Sequence, residues 1–246
     1  MVARSDAIVA ALREAAVAAD APELLEWLRA LPRHLVAEIG AGGRTHRVGV
    51  VHGDPEQLAG WGLGIEAMSP PDEALRRRLG CGDEAPPRAR LPPTPLDTLR
   101  RWCELAEVEG LLSTHTCLPF GQLVPYGGRR LAVPQLAFFN NGAAGMPNFE
   151  GASRTGVITR VSADPTPPAD SLYGATVSGG LRYDAVPVQY DHEAWLREFE
   201  AVWPEGSDAH ASYHARLLRG CEGFTVGHAA RAGVRRYVDA DWRRYP

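Results

Sequence analysis

Two aliphatic runs that each end in a histidine constrain this chain more than any other feature. The first is Val48-Gly49-Val50-Val51-His52-Gly53-Asp54-Pro55, and the second is Leu111-Leu112-Ser113-Thr114-His115-Thr116-Cys117-Leu118-Pro119-Phe120. Runs of this kind suit inner strands, and Pro119 cannot donate to a ladder, so pairing should stop just after the polar residues. Each strand therefore delivers a polar group to a strand-to-loop edge. Imidazole and thiolate both ligate a borderline metal such as zinc, and side chains two apart on an extended segment point the same way. His115 and Cys117 could thus share one ion, although a single His-x-Cys is more often a satisfied polar pair in a loop.

Around these runs the pattern alternates between helix and strand. Ile8, Leu12 and Ala15 or Ala16 recur at helical spacing over Ser5 to Ala19, and Leu24, Leu25, Leu28 and Leu31 form a stripe on a helix that Pro22 opens. Leu35 to Ile39 and Thr45 to Val51 read as a hairpin turned at Gly40-Ala41-Gly42-Gly43. That glycine turn is not a nucleotide-binding loop, because no helix with a lysine follows it. Residues 69–95, rich in proline, arginine and acids, read as a surface insertion or lid with a short helix near Asp72 to Leu79. Arg76-Arg77-Arg78 within it either meets an anionic substrate or is simply solvated.

Leu96 to Val108 reads as an amphipathic helix with Gly110 at its C-cap, leading into the strand that carries His115. Gly121 to Tyr126 and Leu131 to Asn140 form a hairpin across Gly127-Gly128, and Thr155 to Val161, Ala175 to Val177 and Leu181 to Gln189 extend an antiparallel β-rich half. Asp191 and Ser207 cap two late helices. Helix followed by strand is the unit of a layered α/β domain, and one domain spanning 1–246 is the expectation.

The two histidine-ended runs, with Asn140-Asn141-Gly142-Ala143-Ala144-Gly145-Met146-Pro147 after them, resemble the calcineurin-like metallophosphoesterase family. In that family a strand ending in His-Gly is followed by a strand ending in Gly-His-x-His-x-Pro and then by an Asn-x-Gly-Ser/Ala turn. Aligned on Pro119, His115 takes the first histidine position, Cys117 the second, and Thr114 replaces the glycine. Cys117 then ligates as thiolate, ligates poorly, or marks a site that has changed its task. The family's Asp-x-His, Gly-Asp and Gly-Asn-His motifs are not found before His52. The resemblance therefore covers roughly residues 22–190 and the C-terminal half of the family domain.

The resemblance implies an α/β fold, a layered β-sandwich flanked by helices and here incomplete, as in a fragment or a gene model begun too late. It implies two divalent metals (Mn, Zn or Fe) per complete site, with His52, His115 and Cys117 as metal ligands, and hydrolysis of a phosphate mono- or diester. The substrate would be a phosphorylated small molecule or other phosphate ester, and this polypeptide alone would be weak or inactive. The alternative is a non-catalytic interaction module derived from the same fold. Trp61 either lines the pocket or anchors packing, and Asp54 either orients His52 or caps a turn. His228 is a third ligand by residue type only; it and His34, His46, His192, His210 and His214 are more often packing or surface histidines.

Bulk properties exclude other classes. With 246 residues, 45% hydrophobic and 23% charged, the chain is long and apolar enough for a substantial core and is neither a disordered tail nor a membrane span. No run reaches the ~18 apolar residues of a spanning helix, and the start lacks a basic segment followed by an apolar one, so a cytoplasmic protein is expected. Cys81, Cys103, Cys117 and Cys221 contain no Cys-x-x-Cys, which argues for reduced thiols. A net charge of -4 with dispersed arginines gives no electrostatic footprint for nucleic acid.

Overall fold

The computed structural model describes residues 2–18, 22–68, 93–151 and 155–237. The helix near Asp72 to Leu79, the Arg76-Arg77-Arg78 run, Cys81 and most of the 69–95 insertion lie outside the described residues. Contacts divide the chain into two compact units, His34–Gln189 with Arg219–Pro246, and Met1–Arg33 with Tyr190–Leu218.

The larger unit is the layered α/β part anticipated from the sequence, with two sheets and flanking helices. Its first sheet has the order β1-β2-β3-β5-β4, formed by β1 (His34–Ala41), β2 (Arg44–Val51), β3 (Gly110–Ser113), β4 (Phe120–Pro125) and β5 (Gln135–Asn140). The β1/β2 hairpin pairs through Gly40↔Thr45 and Ala41↔Arg44, so its turn is Gly42-Gly43 alone, shorter than the sequence predicts. Both have positive φ, 56° and 79°, as a two-residue turn matched to strand twist requires. From β2 the chain passes through α3 (Ile65–Met68) to α4 (Leu96–Ala106). Leu99, Trp102 and Cys103 form the buried stripe of α4.

The predicted Gly110 cap is corrected here. Glu107 takes the left-handed position (φ 53°), and its N–H reaches the carbonyls of Cys103 and Glu104. Gly110 instead opens β3, where a Cβ would sit 2.3 Å from the Ala137 carbonyl oxygen. Close approach of neighbouring strands, not helix termination, requires glycine there.

β2, β3 and β5 run parallel and adjacent, with registers Gly49↔Leu111 and Leu111↔Phe138. Every residue of β5 after Gln135 is buried, as expected of a strand covered on both faces. The link from β4 to β5 spans residues 126–134, longer than the expected Gly127-Gly128 turn, and the Tyr126 hydroxyl accepts the N–H groups of Arg130 and Leu131 within it. The second sheet, β6-β8-β7-β9, is antiparallel throughout and consists of β6 (Gly156–Ser162), β7 (Tyr173–Thr176), β8 (Arg182–Val188) and β9 (Arg235–Arg236). Phe139 of β5 stacks on Tyr183 of β8 with centroids 5.2 Å apart, joining the two sheets in one core.

At the start of β2 the sheets are pinned by polar groups. Glu109 accepts two hydrogen bonds from the Arg44 guanidinium (2.8 and 2.9 Å) and faces Nδ1 of the fully buried His46 (2.7 Å), whose Nε2 lies 3.3 Å from the Gly179 carbonyl. His46 is thus a packing histidine, as its residue type suggests. In β8 the buried Asp184 accepts from Arg182, Ser171 and Arg160. The short α7 (Val226–Ala229) employs His228 in a capping box with Thr225.

The smaller unit is helical, with α1 (Val2–Ala18), α2 (Pro22–Ala30), α5 (His192–Val202) and α6 (Asp208–Arg219, of which Arg219 falls in the larger unit). Asp191 caps α5 by accepting from the Ala194 N–H (2.9 Å), and the Ser207 hydroxyl accepts from the His210 N–H at the start of α6 (3.3 Å). His192 is buried and donates Nε2–H to the Leu217 carbonyl (2.6 Å), while His210 and His214 stack 4.1 Å apart. Among the described residues no helix is long and apolar enough to cross a membrane.

Candidate functional site

The three parallel strands end at one edge of the first sheet, and the residues just beyond β2, β3 and β5 meet there. This is the edge where open α/β sheets commonly bind ligands. After β2, the His52 carbonyl accepts the N–H groups of Thr114 (3.1 Å) and His115 (2.8 Å), so the end of one strand holds the turn that follows the next. The imidazoles meet as well. His115 Nδ1 lies 3.1 Å from His52 Nε2, one nitrogen donating and the other accepting, with ring centroids 4.9 Å apart at 63°.

The expectation that His115 and Cys117 project together from an extended segment is overturned. β3 ends at Ser113, and residues 114–117 form a turn closed by Cys117 N–H to the Thr114 carbonyl (2.9 Å). Cys117 sits in the left-handed region, φ 60°, and its thiol reaches the His115 carbonyl at 3.5 Å. The alternation of a strand therefore does not apply. Pro119 does fall where pairing lapses, but β4 begins at Phe120 directly after it.

Beneath this turn lies the asparagine segment. Asn140 is buried; its amide donates to Ser113 Oγ (3.0 Å) and Thr116 Oγ1 (3.1 Å), and its carbonyl oxygen accepts the Gly142 N–H (2.8 Å). Gly142 has φ 65°, and a Cβ there would lie 2.4 Å from Asn148 Oδ1 and 2.6 Å from Pro119 Cδ. A close backbone passage thus requires glycine at 142, as the sequence suggests, whereas Gly145 faces open space. Thr114 donates its hydroxyl to the Gly142 carbonyl (2.8 Å) and ties the two segments together.

Asn148 was not singled out in the sequence. Buried, it accepts from Ala143 N–H (2.8 Å) and donates to the Ala143 and Met146 carbonyls, closing the loop on itself. Its only local signal is an asparagine soon after glycines, which is too common to identify it. Asp54 resolves to the turn-capping alternative: its carboxylate accepts from Glu56 (3.0 Å), Gln57 (2.8 Å) and Gly62 (3.1 Å). Trp61, in the loop so formed, has its ring 5.4 Å from that of His115.

Two nitrogens bound to one zinc-like ion at about 2.0–2.1 Å in tetrahedral geometry stand roughly 3.3 Å apart. The 3.1 Å between His52 Nε2 and His115 Nδ1 is close to that separation but is the length of the hydrogen bond they make, so joint ligation would require the shared proton to leave and the rings to turn. Among the described residues no group of three or more His, Cys, Asp or Glu side chains converges to hold a metal ion.

No family model and no curated protein matches the chain. Among solved structures it is similar to a metallophosphoesterase from Sphaerobacter thermophilus, at 16% sequence identity and a TM-score of 0.36, covering 80% of this chain and 62% of that chain. The chain thus spans less than two thirds of that structure's length.

Proposed function

We propose that the edge formed by His52, His115 and the Asn140–Gly142 turn is the metal-binding half of a phosphoesterase site, and that this cytoplasmic chain is weak or inactive as a hydrolase alone. The contact between His52 and His115 carries the proposal, because two histidines 63 residues apart meet at the ends of adjacent parallel strands. His52 through Nε2 and His115 through Nδ1 would hold one divalent ion, with Cys117 the remaining candidate ligand. When bound, such an ion lowers the pKa of a coordinated water and neutralises phosphoryl charge. The chain's own part is to orient: the His52 carbonyl fixes the 114–115 backbone, Thr114 fastens it to Gly142, and Asn140 braces the turn from below. Neutral imidazoles are needed for ligation, so acid should release the ion.

The test is equilibrium dialysis of the untagged chain against manganese, zinc or iron, with His115→Ala alongside. The expected outcome is one ion per chain, lost in the variant and at low pH; equal metal content in both proteins would sink the assignment. A second reading, a non-catalytic interaction module, is favoured by α2, whose Leu24, Trp27 and Leu28 are exposed, as is Leu31 just after it. Such a module would tolerate His52→Ala and His115→Ala without loss of partner binding.

A further inference from the structure

The two edges of the first sheet are treated differently. Along β4 runs the segment that follows α7: the Arg231 N–H bonds the Gly121 carbonyl (3.0 Å), the Leu123 N–H bonds the Ala232 carbonyl (3.1 Å), and Gly121 and Ala230 form a parallel bridge. At β1 no such cover is found among the described residues. His34 to Glu38 are all exposed, Leu35 at 58% and Val36 at 37%. All eight residues of β1 pair with β2 in one unbroken register, so the edge has no bulge. It also has no proline, lysine or arginine, the residues that commonly blunt a bare edge.

The hairpin turn fixes which backbone groups are free. Ala41 and Arg44 close Gly42-Gly43, so Ala41, Ile39, Ala37 and Leu35 direct their N–H and C=O groups toward β2. Those of Gly40, Glu38, Val36 and His34 point away from the sheet. We propose that this edge pairs with the same edge of a second copy of the chain, antiparallel about a two-fold axis at Val36. In that register outward-directed residues face one another: Val36 meets Val36, and His34 meets Glu38 on both sides of the axis, while Leu35 meets Ala37. The only carboxylate of the strand thus lies opposite its only imidazole, twice. An axis at Ala37 would leave Glu38 opposite Val36, and one at Glu38 would set carboxylate against carboxylate. Because β4 is covered, the first sheet has no second edge through which to propagate, and the contact closes at two chains.

The test is sedimentation velocity of the untagged full chain over a range of micromolar concentrations. Wild type should sediment as a dimer that dissociates on dilution. Val36→Pro removes an N–H that points away from β2, so the chain should keep its far-UV circular dichroism and sediment as a monomer. Glu38→Lys exchanges the carboxylate facing His34 for an ammonium at two places and should raise the dimer dissociation constant about tenfold. Adding His34→Glu to Glu38→Lys should restore it. Should Val36→Pro lose its circular dichroism, the charge exchange and its rescue decide alone. A wild type that stays monomeric, a dimer that persists in folded Val36→Pro, a Glu38→Lys defect that His34→Glu does not repair, or assemblies larger than two would each overturn the pairing.

Discussion

Helices α4 and α2 carry similar stripes and end in different surroundings. In α4, Leu99, Trp102 and Cys103 are buried in the core of the larger unit. In α2, Leu24, Trp27 and Leu28 follow the same spacing, continued by Leu31 just after the helix, yet no residue of α2 is buried and Trp27 is 58% exposed. Helical periodicity identifies the face that is able to pack, but whether anything covers that face depends on the rest of the chain or on a partner. The larger unit holds the apolar core and the buried Arg182–Asp184 pair, whereas among the described residues of the smaller unit only His192, Phe199, Ala209 and Leu217 are buried.

The sharpest break in that comparison comes from Asp184. Asp184→Ala strands the buried Arg182 charge and should cost about 3–5 kcal/mol, read as a fall in the urea midpoint. Trp102→Ala should cost a similar amount, about 3–5 kcal/mol, by emptying the α4 contact. A loss below about 1 kcal/mol in either variant would mean that the larger unit is not held by these groups.

Alkaline pH separates the units next. In the larger one, burial pushes Cys103 up to about 12 and raises Tyr173 and Tyr183 further. For Tyr183, nearby Glu109 and Cys103 add to the burial effect. These groups keep their protons in the fold after the unfolded chain releases them, near 9.0 for the thiol and 10.0 for the phenols. Their contribution is complete below pH 9 and is lost as pH rises; each ionising group costs about 1.4 kcal/mol per pH unit, so the three together give on the order of 4 kcal/mol per unit above pH 10. Among the described residues of the smaller unit Tyr190 alone is raised, to about 12, again mainly by burial. Urea midpoints should therefore fall steeply between pH 10 and 11, and a flat profile would show that the buried hydroxyls ionise in the folded state.

Smaller effects belong to the helical unit. Asp191→Ala removes the α5 cap and should cost about 1 kcal/mol. Trp27→Ala should change stability by no more than about 0.5 kcal/mol, since its ring is already exposed. A loss of several kcal/mol from Trp27→Ala, measured in dilute solution and growing with protein concentration, would reveal that a second copy covers the stripe.

Local chemistry made the strands and caps legible. β-branched runs, paired glycines and Asp191 mark hairpins and a helix start because each acts over a few residues. In the candidate site, the sequence brings out His52 and His115, and their rings are in contact in the fold. The 114–117 turn was not legible, because its shape comes from the His52 carbonyl and from Asn140, residues remote in sequence. Gly110 was assigned to the wrong role for the same reason, since the Ala137 carbonyl that demands it belongs to another strand.

Cys117 occupies a left-handed backbone position, φ 60°, where histidine is found several-fold more readily than most side chains. The turn therefore admits an imidazole at position 117 at little backbone cost. Cys117→His should therefore leave the fold intact, read as an unchanged urea midpoint, and on the proposed metal reading should raise the metal retained in dialysis relative to wild type. Unchanged metal affinity in that variant would mean that this turn lies outside the coordination sphere, whichever residue it carries.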